Sequence, residues 1–180
     1  LKKGVQTIAF EPNLYNIKVF LKNIEANNFS TKLHFFPVAL SNKVGVLPMY
    51  GTYTSSSLVK GWMGQKQKNL VSVSTFDEIA LPLVENKPCF IVIDIEGAEL
   101  DCLKGAKKLL SSKSENVFLI EISVSDNHLN EKTINPNLYE TFSLMDSYGY
   151  DAYTADKNIR KIELSEVSKI NSSNINTLNI

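Results

Sequence analysis

The chain is poor in arginine, and this shortage excludes one class of partner. Of its 19 basic residues only Arg160 is an arginine, so the forked, bidentate contacts that phosphate-binding surfaces favour are scarce. Nineteen acidic residues balance the basic ones, and the formal net charge is zero. We therefore expect no nucleic-acid partner.

Cysteine and histidine are equally scarce, with two residues of each type. Cys89 and Cys102 have neither a CxxC spacing nor histidines beside them, which favours core packing. His34 lies in a predicted strand. His128 lies in a polar segment, where it is either a solvated loop residue or a contact to substrate. We predict no metal site.

Long apolar runs and several common site motifs are also missing. No run approaches the roughly 20 residues of a membrane span, and no signal segment opens the chain. The sequence contains no nucleophile elbow, Walker-type loop or dinucleotide fingerprint. We therefore expect a cytoplasmic, reducing environment, no membrane partner, and neither hydrolase nor kinase chemistry.

The 180 residues, 43% of them hydrophobic, suit a single domain spanning residues 1–180. Apolar spacing predicts alternating strands and helices, and hence an α/β, Rossmann-like, mostly parallel sheet with an antiparallel edge. The apolar run 117–122 predicts a strand that is buried on both faces. The predicted strands are 5–10, 33–40, 71–74, 90–93, 117–122, 150–154 and 176–180, with a hairpin in 44–53 and helices after residues 12, 75, 99 and 138.

The most informative stretch is Ile93-Asp94-Ile95-Glu96-Gly97-Ala98-Glu99, where a strand runs into three carboxylates around a glycine turn. The carboxyl ends of strands in open α/β sheets border the ligand crevice. Asp94 and Glu96 would point to one side if the extended geometry persisted to Gly97. Glu99 is interpreted as a helix-start charge. Oxygen coordination of Mg²⁺ or Ca²⁺ by the three acids is the alternative.

Glu11 follows the first strand and precedes a helix. An acid at this position can accept the ribose hydroxyls of a nucleoside cofactor. It can equally be a charge that complements the N-terminus of the helix. The residues alone leave both interpretations open.

Five short motifs follow one another along the chain: Phe10-Glu11-Pro12-Asn13, Val38-Ala39-Leu40-Ser41, Val73-Ser74-Thr75-Phe76-Asp77, the stretch Ile93-Asp94-Ile95-Glu96-Gly97-Ala98-Glu99, and Ile120-Glu121-Ile122. In this order they resemble the motifs of the FkbM-type S-adenosylmethionine-dependent methyltransferases. The resemblance spans about residues 5–153.

This resemblance implies a class I methyltransferase sheet, S-adenosylmethionine as cofactor, and methyl transfer to a hydroxyl of a sugar, glycan or small metabolite. It implies that Asp94 and Glu96 face the methyl group and the acceptor, with Asp94 as base or orienter, and that Glu121 orients either acid. The implied cofactor-binding residues are Phe10, Glu11, Pro12, Ala39, Leu40, Ser41 and Asp94.

The chain departs from the family pattern in two places. Val92 stands where members commonly have a lysine. The family's glycine-rich cofactor loop and the central strand before it would precede Leu1. We therefore expect a gap or seam between the strands that end at Glu11 and Asp94, and a chain that alone binds cofactor weakly and is inactive.

Two other functions remain open on the sequence. One is a catalytically inactive methyltransferase-like domain that serves as a binding or assembly module. The other is an oxidoreductase in which Glu11 would bind a nicotinamide ribose; this would require a dinucleotide glycine pattern ahead of Leu1.

Overall fold

The computed structural model describes residues 5–29, 33–84, 87–124 and 134–170. Their helices and strands alternate along most of the chain. In order they are β1 (Thr7–Phe10), α1 (Leu14–Ala26), β2 (Leu33–Phe36), β3 (Ala39–Leu40), β4 (Gly45–Tyr50), β5 (Lys68–Ser74), α2 (Phe76–Ile79), α3 (Leu81–Val84), β6 (Phe90–Ile93), α4 (Glu99–Lys104), α5 (Lys107–Leu110), β7 (Val117–Ile120), α6 (Leu138–Ser147), β8 (Ala152–Tyr153), β9 (Lys161–Ile162) and α7 (Leu164–Val167).

Most of the strand pairs are parallel, as predicted. Strand β1 pairs with β2, β3 with β5, and β6 with β7, all in parallel. The antiparallel pairs are β4 with β5 and β8 with β9. Parallel pairs need crossover connections, and helices supply two of the three, α1 for β1–β2 and α4 with α5 for β6–β7. The fold is therefore α/β with mostly parallel strand pairing.

The described strands form four separate sheets, β1–β2, β3–β5–β4, β6–β7 and β8–β9. Within the described residues, β1 is hydrogen-bonded only to β2 and β6 only to β7. The lack of hydrogen bonds between β1 and β6 agrees with the gap that the sequence predicts between the strand ending before Glu11 and the strand ending before Asp94. That a further strand belongs in this gap stays a prediction.

Within the described part of the chain, the β6–β7 pair is covered on one face only, so the prediction that the run 117–122 is buried on both faces is wrong. Its inner face packs against clusters that include Leu103, Leu109 and Leu110 from α4 and α5. On its outer face, Val117 is 58% exposed and Leu119 is 43% exposed, and Phe90 and Val92 of the neighbouring strand are exposed to a greater degree. Successive strand residues point to opposite faces, so a strand can be wholly apolar and still have one face in solvent when nothing covers that face.

Cys102 lies in the core, as expected. It is buried in a cluster with Ile93 and Leu103. Burial raises the pKa of its thiol to about 12, with smaller contributions from Glu99 and Asp101, so it stays protonated and inert. Cys89 is only partly buried, and burial also raises its thiol pKa.

Several predicted boundaries need correction. The strand predicted over 33–40 is divided at Pro37, which has no N–H to donate to a sheet. Helix α1 begins after Pro12, at Leu14, because the Asn13 side chain accepts the N–H of Tyr15 and caps it. The predicted hairpin strand pairs instead with β5, across a loop of residues 51–67. The predicted strand at 176–180 lies outside the described residues, and α7 was not predicted.

The helix starts at Thr75 and Glu99 were predicted correctly. The Thr75 hydroxyl accepts the N–H of Glu78 at 3.2 Å, as the capping-box spacing indicates. Helix α4 begins at Glu99. Helix α6 ends before Gly149, whose φ of 83° is a left-handed conformation that glycine adopts without strain.

Candidate active site

The turn after β6 is tighter than the sequence predicts. Strand β6 ends at Ile93, and Glu96 and Gly97 both have left-handed backbones, with φ of 58° and 92°. The extended geometry therefore does not persist to Gly97, and Asp94 and Glu96 are not alternate residues of one strand. Asp94 is exposed, whereas Glu96 is half-buried.

Glu96 is held by residues of a distant loop. The indole N–H of Trp62 donates to Glu96 Oε2 at 2.9 Å, and the hydroxyl of Ser57 donates to the backbone carbonyl of Glu96 at 2.5 Å. Both donors are buried. Glu96 therefore has a fixed backbone carbonyl and one fixed carboxylate oxygen.

Glu99 is more than an exposed helix-start charge, because its side chain is buried, with 3% of the residue exposed. Its Oε1 accepts the N–H of Gly97 at 2.9 Å and closes the turn. Burial raises the pKa of the Glu99 carboxyl, and the neighbouring charge of Asp94 adds to this rise. Hydrogen bonds from the backbone N–H groups of Glu99, Gly97 and Ile95 oppose it.

Asp94 and Glu121 lie side by side at one edge of the β6–β7 sheet. Ile93 is opposite Ile120 in the parallel register, and the N–H of Glu121 donates to the Ile93 carbonyl at 2.9 Å. Each acid is thus the first residue after its strand. Both are exposed.

A cavity of about 920 Å³ lies between β7, α6 and the β8–β9 hairpin. Glu121 lines it, but the other predicted site acids do not. This cavity is therefore next to the acidic edge formed by Asp94 and Glu121, and none of its lining residues belongs to β1 or β6.

Glu11 lies at the end of β1, and both of its carboxylate oxygens have partners within the chain. Oε1 accepts the N–H of Asn13 at 2.7 Å, and Oε2 accepts the side-chain amide of Asn16 at 3.1 Å. These bonds are consistent with the helix-start interpretation. They also leave accepting capacity, because an ionised carboxylate has about four acceptor sites.

The loop of residues 51–64, which we call the bridging loop, contacts both strand ends. The carbonyl of Tyr53 accepts from the side-chain amides of Asn13 and Asn16, each at 3.3 Å. The same loop supplies Ser57 and Trp62 to Glu96. It therefore links the end of β1 to the turn after β6.

The other predicted cofactor residues lie deeper. The ring of Phe10 stacks on Phe36 with centroids 5.5 Å apart and packs on the core. Ala39 and Ser41 are buried, and the carbonyl of Ser41 lies so close to Gly105 that a Cβ there would collide with it. Pro12 and Leu40 are half-buried. Their roles toward a cofactor stay predictions.

Histidines and metal ligands add little to the site. His34 is exposed, and its Nε2 is 2.9 Å from Nε2 of Gln6. His128 lies outside the described residues. Across residues 5–29, 33–84, 87–124 and 134–170, no group of three or more His, Cys, Asp or Glu side chains is arranged to hold a metal ion. Asp94, Glu96 and Glu99 therefore do not form such a group.

Sequence reasoning missed the residues that hold the acids. Trp62 was not singled out, although it is the only tryptophan of the chain. Ser57 was considered only as part of a polar run that could line a pocket or form a turn. A lone tryptophan within a polar, glycine-containing loop is the one signal that could have drawn attention to this contact.

Comparison with known proteins identifies the family. The family model of the methyltransferase FkbM domain matches residues 2–152. The chain belongs to the FkbM methyltransferase domain family. No curated protein matches the chain.

A solved structure agrees with this membership. The crystal structure of methyltransferase FkbM from Methylobacillus flagellatus KT matches with a TM-score of 0.51 and 19% sequence identity. The match covers 79% of this chain and 30% of that chain. At this identity the likeness shows the fold alone. The described residues contain no helix long and apolar enough to cross a membrane.

Proposed function

We propose that this FkbM domain acts in an S-adenosylmethionine-dependent O-methyltransferase, with a hydroxyl of a sugar, glycan or small metabolite as acceptor. Family membership supports methyl transfer. The observation that carries the proposal further is the pair Asp94 and Glu121, two exposed carboxylates on neighbouring strand ends.

The proposal includes the Rossmann-like sheet of class I methyltransferases. In that sheet β1 and β6 lie on either side of a further strand. The lack of hydrogen bonds between β1 and β6 among the described residues supports this arrangement. Glu11 and Asp94 would then border one crevice, because the carboxyl ends of parallel strands meet at one edge.

Glu11 is proposed to accept the ribose hydroxyls of the cofactor. Its carboxylate is ionisable, half-buried and already oriented by Asn13 and Asn16, so little further ordering is needed on binding. Ala39, Leu40 and Ser41 are proposed to lie along the adenine side of the cofactor. Phe10 and Pro12, which flank Glu11, are proposed to bind the cofactor as well. S-adenosylmethionine would supply a methyl group on a positively charged sulfur.

Asp94 is proposed to take the proton of the acceptor hydroxyl. Its carboxylate is exposed and has no hydrogen bond from another described residue, so both oxygens are free to meet an acceptor. Glu96 presents Oε1 beside the oxygen that Trp62 occupies. Methyl transfer to oxygen depends chiefly on holding the hydroxyl in line and removing its proton.

A binding module without catalysis is the second candidate. The observation that favours it is that the chain itself supplies partners to both oxygens of Glu11 and to one oxygen of Glu96. Such a module would bind a hydroxylated ligand and transfer no methyl group.

Calorimetry with S-adenosylmethionine tests the cofactor site. It is done on the protein as it is naturally encoded, which we call the natural protein. We expect Glu11→Gln to weaken binding about tenfold or more, since hydrogen bonds to a charged group are worth about 1.5–3 kcal/mol. Glu25→Gln, an exposed carboxylate on α1, is the matched control and should bind normally. Thermal melts check that both variants fold. Absence of cofactor binding by the natural protein would refute the proposal.

A further inference from the structure

Trp62 makes a directed polar contact that packing of the loop alone would not require. It is the only tryptophan, it is 3% exposed, and it begins a short 3-10 turn, Trp62–Gly64, in the bridging loop. Its single polar atom, the indole N–H, is directed at Glu96 Oε2 at 2.9 Å. Hydrogen bonds to an ionised acceptor are stronger than neutral ones.

The ring of Trp62 also packs on the turn itself. A Cβ added at Gly97 would overlap three carbon atoms of the indole. Gly97 has a left-handed backbone, which favours glycine in any case. The ring and the turn are therefore fitted to each other at the residue next to Glu96.

Ser57 fixes the other side of Glu96. Its hydroxyl accepts the N–H of Val59 at 3.0 Å and donates to the carbonyl of Glu96. Its backbone exchanges two hydrogen bonds with Tyr50 at the end of β4, at 2.7 and 2.9 Å. The loop that holds Glu96 is thus anchored to a strand.

The backbone conformation of Glu96 requires contacts such as those from Trp62 and Ser57. A φ of 58° is uncommon for a residue with a side chain and persists only where neighbours impose it. Trp62 and Ser57 contact Glu96 itself, while Glu99 bonds to the next residue. Of the described residues, only Trp62 donates a hydrogen bond to the carboxylate.

We infer that Trp62 is a positioning residue, which binds one carboxylate oxygen of Glu96 so that the other, Oε1, is presented to the hydroxyl of the methyl acceptor. Among the described residues Oε1 has no hydrogen-bond donor. This inference rests on the proposed function, in which Glu96 faces the acceptor. Trp62 itself touches neither acceptor nor cofactor.

The contact can be tested without activity in the 180-residue chain, where fluorescence excited at the tryptophan band comes from Trp62 alone. Removing the carboxylate charge beside the indole N–H should alter that emission. We expect Glu96→Gln to shift the emission maximum and Glu115→Gln, at an exposed acid, to leave it at the wild-type value. Circular dichroism checks that each variant folds. Wild-type emission in a folded Glu96→Gln variant would overturn the contact.

The positioning role needs a kinetic test on the natural protein. We expect Trp62→Phe, which keeps an apolar ring and removes the N–H, to lower kcat about tenfold, the loss of one charge-assisted hydrogen bond. The KM for the cofactor should stay within about twofold. In a Glu96→Gln background the same substitution should have little further effect, because a residue acting through Glu96 has nothing left to position.

Thr54→Ala is the matched control in the same loop. Thr54 is exposed, and its substitution should leave kcat and emission unchanged. An equal fall in kcat on Trp62→Phe in both backgrounds would overturn the inference and leave Trp62 a structural residue. If the wild-type protein transfers no methyl group, the proposed function fails; the fluorescence experiment still decides whether Trp62 binds Glu96.

Discussion

The side-chain amide of Asn16 donates to the Glu11 carboxylate at 3.1 Å, and the same amide donates to the carbonyl of Tyr53 at 3.3 Å. One residue of α1 therefore connects the proposed ribose-binding acid to the bridging loop. Through that loop, the end of β1 is linked to Glu96 after β6.

Asn16→Leu should loosen the bridging loop, because Leu keeps the size of the side chain and removes both hydrogen bonds. We expect faster amide hydrogen exchange in residues 51–57. Asn23→Leu, an exposed position on the same helix, is the matched control. Unchanged exchange in the Asn16 variant would show that the amide does not hold the loop.

Gly97→Ala should destabilise the protein more than Gly149→Ala. Both glycines have left-handed backbones, with φ of 92° and 83°, but a Cβ at Gly149 would meet open space whereas one at Gly97 would overlap the ring of Trp62. The left-handed strain alone costs about 1–2 kcal/mol. In Gly97→Ala, the overlap with the ring should lower the free energy of unfolding by about a further 1–3 kcal/mol.

Urea unfolding of the two glycine variants measures this difference. Equal losses in the free energy of unfolding would mean that the ring of Trp62 does not lie against Gly97. A larger loss for Gly149→Ala would contradict the packing directly.

Glu99 should make stability depend on pH in a defined direction. Burial raises its carboxyl pKa above the ordinary value of 4.5, so the folded state holds the proton more tightly than the unfolded state. The associated stability is present below pH 4.5 and is lost as pH rises through the raised pKa.

The comparison that isolates this effect is wild type against Glu99→Gln, unfolded in urea at pH 4 and at pH 7.5. The wild type should lose stability relative to the variant as the pH rises. A difference that is constant, or that changes in the opposite direction, would contradict the burial of an ionisable Glu99.

The local structure could be predicted from the sequence because its signals are local. The apolar run before Asp94 and the spacing of Thr75 and Glu78 depend on neighbouring residues, and both were confirmed. The juxtaposition of Asp94 and Glu121 also follows from parallel pairing of consecutive strands.

The contacts that orient the acids could not be predicted in the same way. Trp62 and Glu96 are 34 positions apart, and Ser57 and Glu96 are 39 apart. Their meeting depends on the path of a long loop, which has no periodic signal. The exposed face with Phe90 and Val92 was missed because burial depends on what covers a strand as well as on its own residues.

The 180-residue chain, tested by itself, should bind S-adenosylmethionine weakly. Glu11 and Asp94 follow β1 and β6, two strands that are not hydrogen-bonded to each other among the described residues. A site whose residues are not already in place binds its ligand less tightly, because ordering those residues on binding costs free energy. Calorimetry on this chain checks the prediction, and tight binding would refute it.

The central claim is that Asp94 takes part in methyl transfer. The direct measurement is transfer of labelled methyl groups from S-adenosylmethionine by the natural protein to a panel of glycans and small hydroxylated metabolites. Glu115→Gln, an exposed acid before β7 at the opposite end of the sheet, is the control. We predict that Asp94→Asn lowers kcat by about 10²-fold or more while the control keeps wild-type activity; undiminished transfer by Asp94→Asn would contradict the account.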